Sequence, residues 1–200
     1  MKSVLLSTRP EWCKKICQEI GKDKNGKPIY EKSIDVRKTK PSIPTPFKVY
    51  LYCTKGKNGY EWLYRFDNNG YGKAQSWHGK VVGEFICDKV YSIKYRGNRY
   101  SVADEEQSVT NKIAYQSCFD YDDMVNYLGN KDGYGWHISQ LKIYDKPKEL
   151  REFYKPCPTT EKSDCLSCDC LADNDYGGIC TNNLTCPPQS WCYVQEKEDA

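Results

Sequence analysis

Strand-length runs of β-branched and aromatic residues follow one another in this chain with little that is helical between them. That order restricts the fold more than any single motif does. Residues 32–38 (KSIDVRK) alternate strictly, with Ile34 and Val36 on one face and Ser33, Asp35 and Arg37 on the other. Residues 47–53 (FKVYLYC) read as a nearly continuous buried strand, and 80–88 (KVVGEFICD) as the next, continuing weakly through 90–95. Residues 3–7, 136–144 (WHISQLKIY) and 191–195 (WCYVQ) complete the set, with Asp145-Lys146-Pro147 as a turn. Only two helices are legible. Pro10 opens the first, with Trp12, Cys13, Ile16, Cys17 and Ile20 at helical spacing and Gly21 as its stop. Asp120 caps the second, which holds Met124, Val125, Tyr127 and Leu128 and closes at Gly129. Residues 22–31, with Asn25-Gly26, form a hairpin turn, and 97–116 carry little signal. A doubly wound sheet needs helices between most of its strands. The expected fold class is therefore α+β: a small β-barrel of five to six strands, mixed or antiparallel, with two or so flanking helices.

A chain of 200 residues buries one core and a small appendage, so a single domain is expected over 1–200. Its core is 1–152 plus a terminal strand at 190–195. The apolar run Val4-Leu5-Leu6 is too short for a signal-peptide core, and no later stretch approaches a membrane span. The expectation is a cytoplasmic protein with no membrane partner, whose 12 cysteines stay reduced. Charge is unevenly spread: residues 1–48 carry twelve Lys/Arg against five Asp/Glu, and 157–200 carry two against eight. A basic first third suits an anionic ligand.

Six cysteines lie in the polar stretch 157–186, which lacks the aliphatic residues to make a core. Cys165 and Cys168 have the spacing at which one tight turn offers two thiolates to a tetrahedral ion. A structural zinc is expected there, held by Cys165, Cys168, Cys180 and Cys186, with Cys157 and Cys170 as alternates. No organic cofactor is expected. The remaining cysteines read as small apolar core residues.

Ser7-Thr8-Arg9-Pro10-Glu11-Trp12 opening a helix, followed by the KSIDVRK strand, resembles the ASCH domain family of the PUA-like superfamily. In that family's motif, G-x-K-x-x-E-x-R, Lys32 matches the lysine, Asp35 replaces the glutamate and Arg37 matches the arginine. The glycine position falls on Tyr30. Gly83-Glu84 and Gly135-Trp136-His137-Ile138 also look like the family, so the resemblance covers about 1–150 plus the terminal SWCYV strand, with a cysteine-rich insertion before it.

The resemblance implies a barrel whose first helix and KSIDVRK strand border a cleft that accepts RNA or a modified nucleotide. The candidate ligand-binding residues are Arg9, Trp12, Lys32, Asp35, Arg37, Lys38, Glu84, Trp136 and His137. Arg9 and Arg37 offer planar forks, and Trp12 and Trp136 offer stacking surfaces. One enzymatic branch of the family is an amidohydrolase acting on an acetylated cytidine through a lysine, a threonine and a glutamate. Its residues carry over to Lys32 and Glu84, while the nucleophile position holds Asp35, which has no hydroxyl to activate. A binding module is therefore the leading expectation and the amidohydrolase the alternative. A third reading is a protein-interaction module that docks a partner through the cysteine-rich stretch.

Overall fold

All six residues of the first strand, β1 (Ser3–Thr8), are buried, because β1 lies inside a sheet with a neighbour on each side. In the computed structural model, residues 3–56, 64–65, 75–103, 107–156 and 182–196 are described. After β1 come helix α1 (Pro10–Cys17), a hairpin of β2 (Glu19–Lys22) and β3 (Pro28–Tyr30), then β4 (Ile34–Arg37) and β5 (Phe47–Cys53). A short ladder of β6 (Tyr64–Arg65) and β7 (Gln75–Ser76) precedes β8 (Lys80–Cys87), β9 (Val90–Tyr95) and β10 (Tyr100–Val102). Helices α2 (Gln107–Ser117) and α3 (Tyr121–Leu128) follow, and then β11 (Gly133–His137), β12 (Ser139–Glu149), β13 (Phe153–Tyr154) and β14 (Trp191–Glu196).

Six strands form one sheet in the order β12-β8-β5-β1-β14-β13, and four form a second in the order β10-β9-β11-β4. β1 runs parallel to β5 and antiparallel to β14, so the larger sheet is mixed. The near-continuous apolar run of β5 follows from this position, since both its faces are covered. Val49 and Leu51 join Val4, Leu6, Val82 and Phe85 in the main core, while Tyr50 and Tyr52 join Leu5, Phe153 and Leu184 on the opposite face. The two sheets share a corner. β8 passes into β9 at Asp88-Lys89, and β11 passes into β12 at Ile138; there the His137 amide donates to Lys89 O (2.9 Å) and the Ile138 amide to Ser33 O (2.8 Å). The result is a curled, barrel-like α+β fold with more strands than the sequence pattern separated. Among the described residues no helix is long and apolar enough to cross a membrane.

Four local readings need correction. α1 stops at Cys17, and Ile20 sits exposed on β2 rather than under the helix. The expected strand over 136–144 is two strands, because the corner at Ile138 transfers the chain between sheets. Residues 145–147 do not turn; they are a bulged part of β12, where the pairing with β8 shifts between Ile143 and Lys148. α2 was not foreseen, since its few apolar residues make little periodic signal; it is held by Ile113 packing with Ile34 and Val102. The second expected helix is present as α3, with its Asp120–Asp123 capping box and Gly129 at φ 66.

Gly83 lets β12 press against β8. A Cβ there would lie 2.6 Å from the Lys142 carbonyl oxygen and 3.3 Å from the Ile143 Cα, both main-chain atoms. Gly83→Ala is therefore expected to cost about 1–3 kcal/mol, as overpacking does. The check is a lower urea midpoint at an unchanged slope.

Candidate functional site

Lys32 is 1% exposed, and a buried ammonium needs partners. It donates to the Ser117 carbonyl (2.6 Å) and stands 3.6 Å from Asp35 Oδ1. Burial pushes its pKa below the usual value of 10.5, and the Asp35 charge opposes that drop. Its Nζ also lies 5.0 Å from the centre of the Trp12 ring and 4.9 Å from that of Phe119. The other side of Asp35 is taken by Arg37, which donates from Nε to Oδ2 (2.5 Å). Arg37 further donates to the Ser7 carbonyl (2.9 Å) and to Thr8 Oγ1 (3.1 Å), which ties β4 to the end of β1. Asp35 and Arg37 share a face of β4, as the alternation of KSIDVRK requires. Two basic side chains thus share one carboxylate at a site that is largely buried.

Above this group opens a cleft of about 310 Å³. The buried Ser7, Thr8, Asp35 and Arg37 form its floor, Trp12, Phe119 and Tyr127 its aromatic side, and the exposed Arg9 its rim. The volume is at the lower end of small-ligand sites. Ser7 Oγ is buried without a hydrogen-bond partner, and Thr8 accepts from Arg37 while keeping its own proton to donate. The floor is consequently rich in donors. Burial raises the Tyr127 phenol pKa, and the Arg37 charge works against that rise. Residues 189–190, just ahead of β14, also line the cleft, held by the Ser7 amide donating to Ser190 O (2.8 Å).

The structure brings together Arg9, Trp12, Lys32, Asp35 and Arg37 from the sequence-derived set. Lys38 is exposed beside them, its Nζ 5.5 Å from the Tyr127 ring centre. The other three lie elsewhere. Trp136 is 0% exposed and packs edge-on against Phe47 at 5.5 Å, so it offers no face to a ligand. His137 bonds through Nδ1 to Asp88 Oδ1 (2.6 Å) and staples the corner between the sheets. Glu84 stands with Tyr50 on the opposite face of the larger sheet, paired with Lys48 (2.8 Å) and accepting from Tyr144 (2.6 Å). Burial would raise its pKa, but these two partners hold it below the usual carboxylate value. Lys32 and Asp35 therefore meet without Glu84, the residue that the resemblance offered as the amidohydrolase glutamate. Phe119, just ahead of α3, and Tyr127, on it, were missed as cleft residues because they reach the cleft only through the tertiary fold.

Cys157, Cys165, Cys168, Cys170 and Cys180 lie outside the described residues, and Cys186 is exposed and free. Among the described residues no cluster of metal-ligating side chains occurs. The ends flanking 157–181 are joined: the Lys155 amide donates to Asn182 O (3.0 Å), and Tyr154 bridges Asn183.

No protein-family model and no curated protein matches the sequence. Among solved structures, the chain is similar to an ASCH protein from Zymomonas mobilis at 11% identity, with 74% of this chain and 73% of that chain covered and a TM-score of 0.46. A tyrosine-to-phenylalanine mutant of the Zymomonas mobilis protein matches at 10% identity, covering 75% and 77% of the two chains, again at 0.46.

Proposed function

We propose that the cleft binds RNA or a modified nucleotide, with an anionic or carbonyl oxygen on its floor and a base against Trp12. The observation that carries this reading is the Arg37 guanidinium and the Ser7 and Thr8 hydroxyls on the floor of an open space beside an aromatic wall, with Lys32 and Asp35 packed behind them. A floor of that kind favours an acceptor-rich, negatively charged ligand and discourages a cation. A cytoplasmic location is part of the same proposal. The zinc-stapled reading of 157–186 also stands as a proposal, resting on cysteine spacing alone.

Arg37 is a poor first variant because it ties β4 to β1, so its loss would disturb the fold along with the site. Arg9 is exposed and serves better. Calorimetric titration with the four nucleoside 5′-monophosphates should show binding of at least one. Arg9→Ala should weaken that binding about tenfold, the scale of one charged hydrogen bond, and added salt should weaken it as well. A chain that binds none of the four, or an Arg9→Ala variant indistinguishable from wild type, would count against the proposal.

A further inference from the structure

Phe119 lines the cleft on one side and a second pocket on the other. This second pocket, of about 180 Å³, opens between α2, α3 and the β9–β10 hairpin. Its volume is below the roughly 300 Å³ at which whole-ligand sites begin, so it has room for a ring system and not for a complete nucleotide. Its lining is mainly apolar, from Ile93, Ala114, Met124 and the aromatic rings of Phe119, Tyr100 and Tyr121. Tyr100 and Tyr121 stand 6.2 Å apart, and Tyr121, 46% exposed, carries this aromatic surface out to the solvent. The exposed Arg99 supplies a planar cation beside the rings. Asp120 also borders the pocket, with Oδ1 accepting from the Asp123 amide; its negative charge disfavours a phosphate there but not a neutral base.

From this arrangement we infer that the pocket is a second base subsite, so that the ligand is single-stranded RNA with two successive nucleotides on either side of Phe119. The inference rests on the reading of the first cleft and extends it. One nucleotide places its phosphate over Arg37 and its base by Trp12. The neighbouring base enters the pocket against the exposed Tyr121 ring and Arg99, where stacking holds any base without reading its edge. Phe119 separates the two rings. A duplex, whose bases remain stacked on each other, cannot straddle such a divider.

The test compares nucleoside 5′-monophosphates with 5′-phosphorylated dinucleotides on the full chain. A dinucleotide should bind at least about tenfold more tightly than either of its mononucleotides, in the range that stacking one base supplies. Tyr121→Ala and, separately, Arg99→Ala should remove most of that gain and leave mononucleotide affinity unchanged. Ala114→Leu, which fills the pocket with a good helix former, should do the same. Equal affinity for mono- and dinucleotides would overturn the second subsite while leaving the first intact. A gain that survives in all three variants would overturn it too. Wild-type protein that binds neither ligand would end both readings.

Discussion

Replacing Asp35 with alanine should destabilise the folded chain by about 3–5 kcal/mol, the cost of leaving a buried charge without its partner. Asp35 is shared by Lys32 and Arg37, whose side chains are 0% and 8% exposed. Its removal leaves the buried Lys32 and Arg37 side chains without the carboxylate that both face. The loss is a large part of the 5–15 kcal/mol by which a domain is typically stable. Lys32→Met should behave differently. It keeps the volume, removes one of the two cations and leaves the Asp35–Arg37 pair whole, so its cost should be much smaller than that of Asp35→Ala. Urea denaturation of the two variants checks the contrast. An Asp35→Ala variant within about 0.5 kcal/mol of wild type, as ordinary surface changes are, would show that these charges are not held together in the interior.

The second large effect is expected at Trp136. Among the described residues it is the largest of the fully buried side chains, lying edge-on to Phe47 and 6.0 Å from the Trp191 ring. Truncation to alanine should cost about 3–5 kcal/mol, from lost burial and the cavity left behind. Its indole N–H is buried without a hydrogen-bond partner, so the polar atom contributes nothing that a phenyl ring would lack. Trp136→Phe should therefore be milder, because it leaves a smaller cavity than alanine does, and should leave nucleotide affinity unchanged. Thermal or urea unfolding separates the two substitutions. A Trp136→Phe variant that folds normally but loses ligand would restore this residue to the binding site.

These residues also show what a one-dimensional reading can reach. The alternation in KSIDVRK placed Asp35 and Arg37 on one face, because a strand's period is a local property. The same reasoning identified α3 from its cap, its apolar face and its closing glycine. Trp136 and Glu84 were misplaced for a common reason: a family-like dipeptide marks a position along the chain, whereas the cleft is assembled from β1, α1, β4 and α3 together. The split at Ile138 was invisible because both halves of WHISQLKIY have strand character, and only the corner hydrogen bonds to Lys89 and Ser33 divide them. Phe119 had no local signal. Its role depends on the ridge it forms between two spaces, which exists only once α2 and α3 have docked.

Leu5 sits in the ladder between Tyr50 of β5 and Cys192 of β14. A ribosome delivers the first of these neighbours early and the second only after the whole barrel and the cysteine-rich stretch have been synthesised. Until then β1 presents an open edge, with unpaired amides and carbonyls able to capture a strand from another chain. The cleft is also unfinished, because Ser7 lacks its bond to Ser190 and that part of the wall is missing. Chains released before this pairing would lack part of the cleft wall and be prone to aggregate, so one late strand both completes the cleft and closes the edge.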